Sequence, residues 1–362
     1  MKKTREIIGL GSGILLGIIW GILLTVLEEK EIIAPINFVW FLIAVVAGVL
    51  LQIIFHELGH LVAGLMSGYK FSSFRIGNLT WIMEDGKIRF KRYSLKGTAG
   101  QCLMLPPENV GYDYPVILYN LGGVLMNVIV STIILILSFC MKSGILFLVS
   151  FVGYFFAATN GIPKKVGGVA NDGMNVKCLK KEPLAMQAFD CQLRCNALLM
   201  KGVRLKDMPE DWFEIPDDSA PDNMNTGTMV YMQIGRMIDE HEFCLAKEKI
   251  QWALENVSGM LGLYQNELKC ELMFCHIMLG ETEEAEKLYE YETKKYIQTT
   301  ATWPSRKRLM YAYYLLVEKN NVMAEKELKL FNRTKKTYPY KADIESEEEL
   351  IEIVTKNISL CT

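Results

Sequence analysis

The sequence predicts a mainly α-helical membrane protein: a polytopic bundle of about four transmembrane helices with a small cytoplasmic β-hairpin, followed by a soluble α-helical repeat domain. Three observations predict it. Up to about residue 175 the chain is dominated by apolar runs, whereas after about residue 180 it is polar and charged. Four of the runs, 7–27, 38–66, 115–141 and 144–163, are long enough to cross a hydrocarbon core. In the polar half, Ala246, Ala285 and Ala324 recur every 39 residues, a period that belongs to stacked helical hairpins. The expected divisions are a membrane part over 1–178, a helical linker and loop over 179–225, and a cytoplasmic helical-repeat domain over 226–362.

At 362 residues the chain exceeds one compact domain. Its 39 basic and 41 acidic residues balance, which gives nucleic acid no basic surface to find. Nine cysteines, odd in number and irregular in spacing, suit reduced thiols better than a disulfide framework. Cys191 and Cys195 lie four apart with no second pair nearby, so they are expected to pack rather than bind metal.

Met1-Lys2-Lys3-Thr4-Arg5 is basic and precedes the first uncharged run. That run is long for a signal peptide and has no small-residue cleavage site before Glu28-Glu29-Lys30-Glu31, so a retained helix is expected. Gly9, Gly13, Gly17 and Gly21 fall on one face and permit close helix packing. The second span follows from Phe38. In the loop beyond it, Thr80 to Glu84 and Lys87 to Lys91 alternate around Asp85-Gly86, a hairpin signal. Gly97 to Gln101 and then Pro106-Pro107 read as an irregular return to the membrane. Only Lys142 and Ser143 separate the third and fourth spans, which makes them a tight hairpin.

Basic residues set the orientation. Lys2, Lys3 and Arg5 at the start, and Lys70, Arg75, Lys87, Arg89, Lys91, Arg92 and Lys96 in the long loop, outnumber the lone Lys30 and Lys142 of the other connections. A multi-pass cell-membrane protein with both termini and the long loop in the cytoplasm is expected. Further on, each alanine of the 39-residue period follows a turn-like stretch, at Asp239 to Glu242, Gly280 to Glu283 and Lys319 to Asn321. Gly280 to Tyr289, GETEEAEKLY, resembles the second helix of a tetratricopeptide repeat. Met208 to Asn225, rich in breakers and acids, reads as a loop.

The chemistry concentrates in His56-Glu57-Leu58-Gly59-His60, inside the second span. Residues i and i+4 share a helix face, so both histidines can reach one zinc ion. Glu57 is rotated about 100° from His56, beside the metal, where it can take a proton from a water that zinc activates. Ionisable residues at membrane depth are costly and mark function. Zinc catalysis uses three protein ligands, and no other histidine lies in the membrane part. The third ligand is therefore expected to be a carboxylate: Glu108, Asp113 or Asp172. Asp172 is favoured because it follows the fourth span within Asn171-Asp172-Gly173, a setting that lets the backbone bend toward the metal.

Together these residues resemble the site-2 protease family of intramembrane zinc metalloproteases. The matching positions are His56, Glu57 and His60, then Asn160-Gly161-Ile162-Pro163 and Asp172-Gly173, with Gly122 to Asn127 similar to the family's glycine–asparagine element. The resemblance covers about residues 38–175 and implies Zn2+ held by His56, His60 and Asp172, with Glu57 as general base. It also implies that Asn160, and Asn127 likewise, hold the substrate backbone or the developing oxyanion. The chain departs from the family's compact linker between Pro163 and Asp172, where Lys164 to Asn171 intervene.

The expected activity is hydrolysis of a peptide bond in a membrane-spanning or membrane-associated substrate near its cytoplasmic side. The hairpin around Asp85-Gly86, or the strand near Gly97 to Leu105, is expected to hold the unwound segment by edge pairing. The partners are then a transmembrane substrate, the lipid bilayer and a cytosolic protein on the repeats. The alternatives are a catalytically idle zinc-binding anchor that recruits such a partner, which the intact Glu57 argues against, and a transporter, which the lack of further charges in the spans argues against.

Overall fold

The computed structural model describes residues 2–84, 86–92, 99–108, 115–166, 169–179, 183–215, 222–338 and 340–361. The chain divides into two compact units. One comprises Met1–Ser67, Pro115–Lys164 and Ala170–Met174; the other comprises Gly68–Tyr114, Lys165–Val169 and Asn175–Thr362.

The first unit is a helical bundle of α1 (Lys2–Glu29), α2 (Phe38–Met66), α3 (Val116–Cys140) and α4 (Gly144–Gly161). These apolar runs become helices because a chain surrounded by lipid must satisfy its backbone groups internally. Helices α2, α3 and α4 are long and apolar enough to cross a membrane. The first expected span falls inside α1, part of whose surroundings lies outside what the structure describes. Asn37 caps α2 by accepting from the backbone N–H of Trp40, and Ser143 caps α4 by accepting from that of Leu146. Lys142, with φ at 50°, makes the tight turn between α3 and α4. Its carbonyl accepts from the N–H of Ala34 at 2.7 Å, so the two short connections meet at one end of the bundle.

In the described part of α1 the expected glycine face does not pack. Open space lies over Gly17 and Gly21, while the surroundings of Gly9 and Gly13 fall outside the description. Instead, Trp20 stacks on Phe147 and Phe151 of α4, with centroids 5.1 and 5.0 Å apart. The close helix crossing is elsewhere. A Cβ on Gly59 would overlap the carbonyl of Gly122, and a Cβ on Gly122 would overlap that of Gly59, so α2 and α3 touch backbone to backbone.

In the second unit the expected hairpin is part of a larger sheet. Strands β1 (Lys70–Ile76), β2 (Leu79–Glu84), β3 (Lys87–Arg92) and β4 (Gly100–Leu105) form an antiparallel sheet in the order β3-β2-β1-β4. Glu84 pairs with Lys87 across the turn, where Gly86 takes φ 73° and Asp85 lies outside the described residues. Gly100 to Leu105, read both as part of an irregular return and as a strand that could hold substrate, is an edge strand on β1. Strand β1 escaped prediction because a bulge between Phe71 and Ser73 breaks its alternation.

A short ladder of β5 (Lys165–Val166) and β6 (Val169–Ala170) precedes α5 (Asp172–Leu179) and α6 (Pro183–Met200). The described part of the expected loop after α6 is irregular but well packed. Met208 and Phe213 are buried with Cys191, Cys195 and Met229. Both cysteines are thus core residues with free thiols, as the spacing suggested. The rest of the unit is helical: α7 (Met224–Asp239), α8 (Phe243–Asn256), α9 (Gly262–Met278), α10 (Thr282–Leu288), α11 (Tyr291–Thr299), α12 (Pro304–Ala312), α13 (Asn321–Thr334) and α14 (Lys341–Cys361). Ala246, Ala285 and Ala324 lie in α8, α10 and α13, all fully buried. A left-handed residue precedes each of those helices, at His241, Gly280 and Lys319, which are themselves 39 apart.

A buried ion network ties α9, α12 and α14 together. Arg308 donates to Glu271 at 2.8 Å and to Glu347 at 2.6 Å, and its guanidinium lies 3.8 Å from the Phe274 ring centroid. Removing one partner of such a cluster leaves the others charged and buried. Arg308→Ala should therefore destabilise this unit by ~3–5 kcal/mol, read as a lower midpoint in denaturant unfolding of the purified protein. An unchanged midpoint would show the network to be energetically idle.

Candidate metal centre

In α2 the buried residues Ala44, Gly48, Gln52, His56 and His60 recur every four positions, one stripe turned into the bundle. The stripe lies against α3, where Gly123 leaves the space that the two imidazoles fill. A Cβ on Gly123 would sit 2.6 Å from both His56 Cε1 and His60 Nε2.

Each ring is held from behind. His56 Nδ1 lies 2.7 Å from Asn127 Oδ1, and His60 Nδ1 lies 2.8 Å from the carbonyl oxygen of Tyr119. Both partners are acceptors as placed, so both Nδ1 atoms donate, and each neutral ring keeps a lone pair on Nε2. The two Nε2 atoms are 3.2 Å apart.

Asp172 closes the group, its Oδ2 lying 3.1 Å from His56 Nε2 and 3.5 Å from His60 Nε2. That oxygen is buried without a hydrogen bond. With both rings neutral, two lone pairs and a carboxylate oxygen converge on one point, an arrangement that a cation between them relieves. Tetrahedral zinc with bonds of ~2.0–2.1 Å separates its ligands by ~3.3 Å, close to the three distances observed. The donor set fits a divalent metal, and His56, His60 and Asp172 are the one such group among the described residues.

Asn171 fixes where Asp172 goes. Its side-chain oxygen accepts from the backbone N–H groups of Lys164 and Met174, and its amide donates to the carbonyls of Thr159 and Ile162. One side chain thus caps α5 and fastens it to the end of α4. Gly173 serves the same junction, since a Cβ there would overlap the carbonyl of Gly161. The segment expected to bend by flexibility is stapled, and its glycine permits close approach. Of the other carboxylates considered, Glu108 is exposed and paired with Lys70 at 3.1 Å, and Asp113 lies outside the described residues.

Glu57 is buried one position along from His56. Asn160 is half-buried in the last turn of α4, donating to the Phe156 carbonyl. Asn127 differs from the expectation for it. It is wholly buried, its oxygen faces His56, and its amide donates to Gln52 twice, leaving no donor for substrate. Gln52 was not singled out from sequence, although a glutamine four residues before His56 in an apolar run shares its face.

Helices long and apolar enough to cross a bilayer, with a His-His-Asp group that could hold a metal ion, are the features of a membrane metalloprotein. The sequence signature described as Peptidase family M50 matches residues 44–279, well over half of the chain. The chain belongs to that family, the site-2 protease family of membrane zinc metalloproteases. No match was found among curated proteins or among solved structures. The signature begins within α2 and ends one residue past α9, so α10 to α14 lie beyond it.

Proposed function

We propose that the protein is an active intramembrane zinc endopeptidase, cleaving a membrane-spanning or membrane-associated substrate near its cytoplasmic face. The observation that carries this reading is the convergence of His56 Nε2, His60 Nε2 and Asp172 Oδ2, beside the buried Glu57. When bound, zinc supplies Lewis acidity and brings the pKa of water to about 7. Glu57 takes the proton as the water oxygen bonds to the scissile carbonyl carbon. It then delivers that proton to the leaving amide nitrogen as the C–N bond breaks, so atoms and charge balance. Asn160 donates to the substrate backbone or to the oxyanion.

The chain crosses the membrane four times, with both termini and the sheet in the cytoplasm. The basic residues of the long loop support this, as does the meeting of the Ala34 and Ser143 connections at one end of the bundle. The edge strand β4 pairs with substrate that has unwound, because helical substrate shields its carbonyls. Residues 226–362 form a helical-repeat domain that engages a cytosolic protein, a reading supported by the matched 39-residue spacings of buried alanines and left-handed turn residues.

Asp172→Asn tests the assembly. The variant should lose both zinc, measured on purified full-length protein, and cleavage of a co-expressed single-span substrate. Retention of both would overturn the ligand set and return the third position to Glu108 or Asp113.

A further inference from the structure

Gln52 is wholly buried in an apolar span, where an amide is costly unless fully bonded. We propose that Gln52 and Asn127 form an amide clamp that fixes the tautomer and ring orientation of His56, turning its Nε2 lone pair to the metal. Both act as positioning residues, and the inference rests on the metal-site reading above.

The hydrogen-bond chain permits one assignment. The backbone oxygen of Gln52 lies 3.0 Å from the Asn127 side chain and can only accept, so the atom facing it is Nδ2. The second Nδ2 hydrogen goes to Gln52 Oε1 at 2.6 Å. Asn127 Oδ1 is then the atom 2.7 Å from His56 Nδ1, which must donate. A neutral imidazole carries one proton, so His56 Nε2 is unprotonated. With Oε1 occupied, Gln52 Nε2 turns to Ser131 Oγ at 3.4 Å. Gly153 leaves the room for this, since a Cβ there would overlap Ser131 Oγ and come within 2.6 Å of Gln52 Cδ.

The two histidines are thereby held by different means. His60 leans on the backbone carbonyl of Tyr119, which no substitution removes. His56 depends on side chains. Outer partners of ligating histidines fix the tautomer and raise ligand basicity, and losing one typically weakens metal binding 10–100-fold.

The test uses full-length protein in detergent and equilibrium competition for zinc against a chromophoric chelator, with no substrate present. Asn127→Leu should weaken zinc binding ~10–100-fold. Gln52→Leu should weaken it less, ~2–10-fold, because the backbone contact survives and Asn127 itself loses one neutral hydrogen bond. Gln52→Glu keeps an acceptor for Asn127 and should restore affinity to near the parent value. In the Asn127→Leu background, Gln52→Leu should bring no further loss, since Gln52 acts through Asn127. Parent-like elution and unfolding midpoints establish that the variants fold. If Asn127→Leu fails that control, equal affinities for Gln52→Leu and Gln52→Glu overturn the clamp. So does an Asn127→Leu variant that binds zinc as tightly as the parent, or additive losses in the double variant. A parent that binds no zinc overturns the metal reading itself, which is a separate outcome.

Discussion

Replacing Glu57 with glutamine should stop cleavage and leave zinc in place. Glu57 lies outside the group formed by His56, His60 and Asp172, so the metal ligands survive the change. Glutamine has nearly the shape of glutamate and fills the same buried site, but it cannot accept the proton. General-base catalysis of this kind contributes ~10²–10⁴ in rate, enough to take a slow membrane protease below detection. The measurement pairs zinc content of purified protein with immunoblotting of a co-expressed single-span substrate. Persistent cleavage would remove Glu57 from the chemistry. A zinc-bound parent that itself cleaves nothing, in membranes where candidate substrates are present, would favour an idle anchor that recruits a partner.

Much of this site could be read in advance because its signals are local. His56 and His60 sit one helical turn apart, and the apolar run around them leaves a helix as the only conformation that satisfies its backbone. Asp172 needed more. A zinc site with two histidines still lacks a ligand, and of the three carboxylates Asp172 stands out in the sequence by following the fourth span within Asn171-Asp172-Gly173. The geometry that singles it out depends on Asn171 bonding to four backbone groups at once. No spacing rule encodes that, because the partners come from both sides of an eight-residue detour.

What stayed hidden was mostly non-local pairing. The Asp85-Gly86 hairpin could be read because its strands are adjacent, whereas β1 and β4 are joined by contacts roughly thirty residues apart and β1 carries a bulge. Gln52 was overlooked for a different reason. In a 29-residue helix an uncharged amide looks like a minor interruption, and only its contacts with Asn127 and Ser131 give it meaning. The glycines divide in the same way. Those of α1 form the more regular stripe and face open space where described, while Gly122 and Gly123 carry the close contacts.

That contrast gives a second large effect. Gly123→Ala should abolish zinc binding in a protein that otherwise folds. The added methyl would stand 2.6 Å from His56 Cε1 and His60 Nε2, well inside van der Waals contact. Neither ring can yield easily. His56 is tied to Asn127, His60 to the Tyr119 carbonyl, and the helices cannot part without opening the Gly59–Gly122 crossing. The relief available is to swing one imidazole off the metal, and misplacement by ~1 Å is enough to lower a rate ~10²-fold. Gly48→Ala is the control. It lies on the same stripe of α2, but the nearest atoms its Cβ would meet are those of the Val152 side chain at 3.4–3.6 Å, ordinary contacts. Alanine also favours the helix over glycine by up to ~1 kcal/mol, so this variant should fold, bind zinc and cleave as the parent does. Purified Gly123→Ala with a full complement of zinc would mean that the imidazoles have another way to reach the metal, and the packing account of the site would fall.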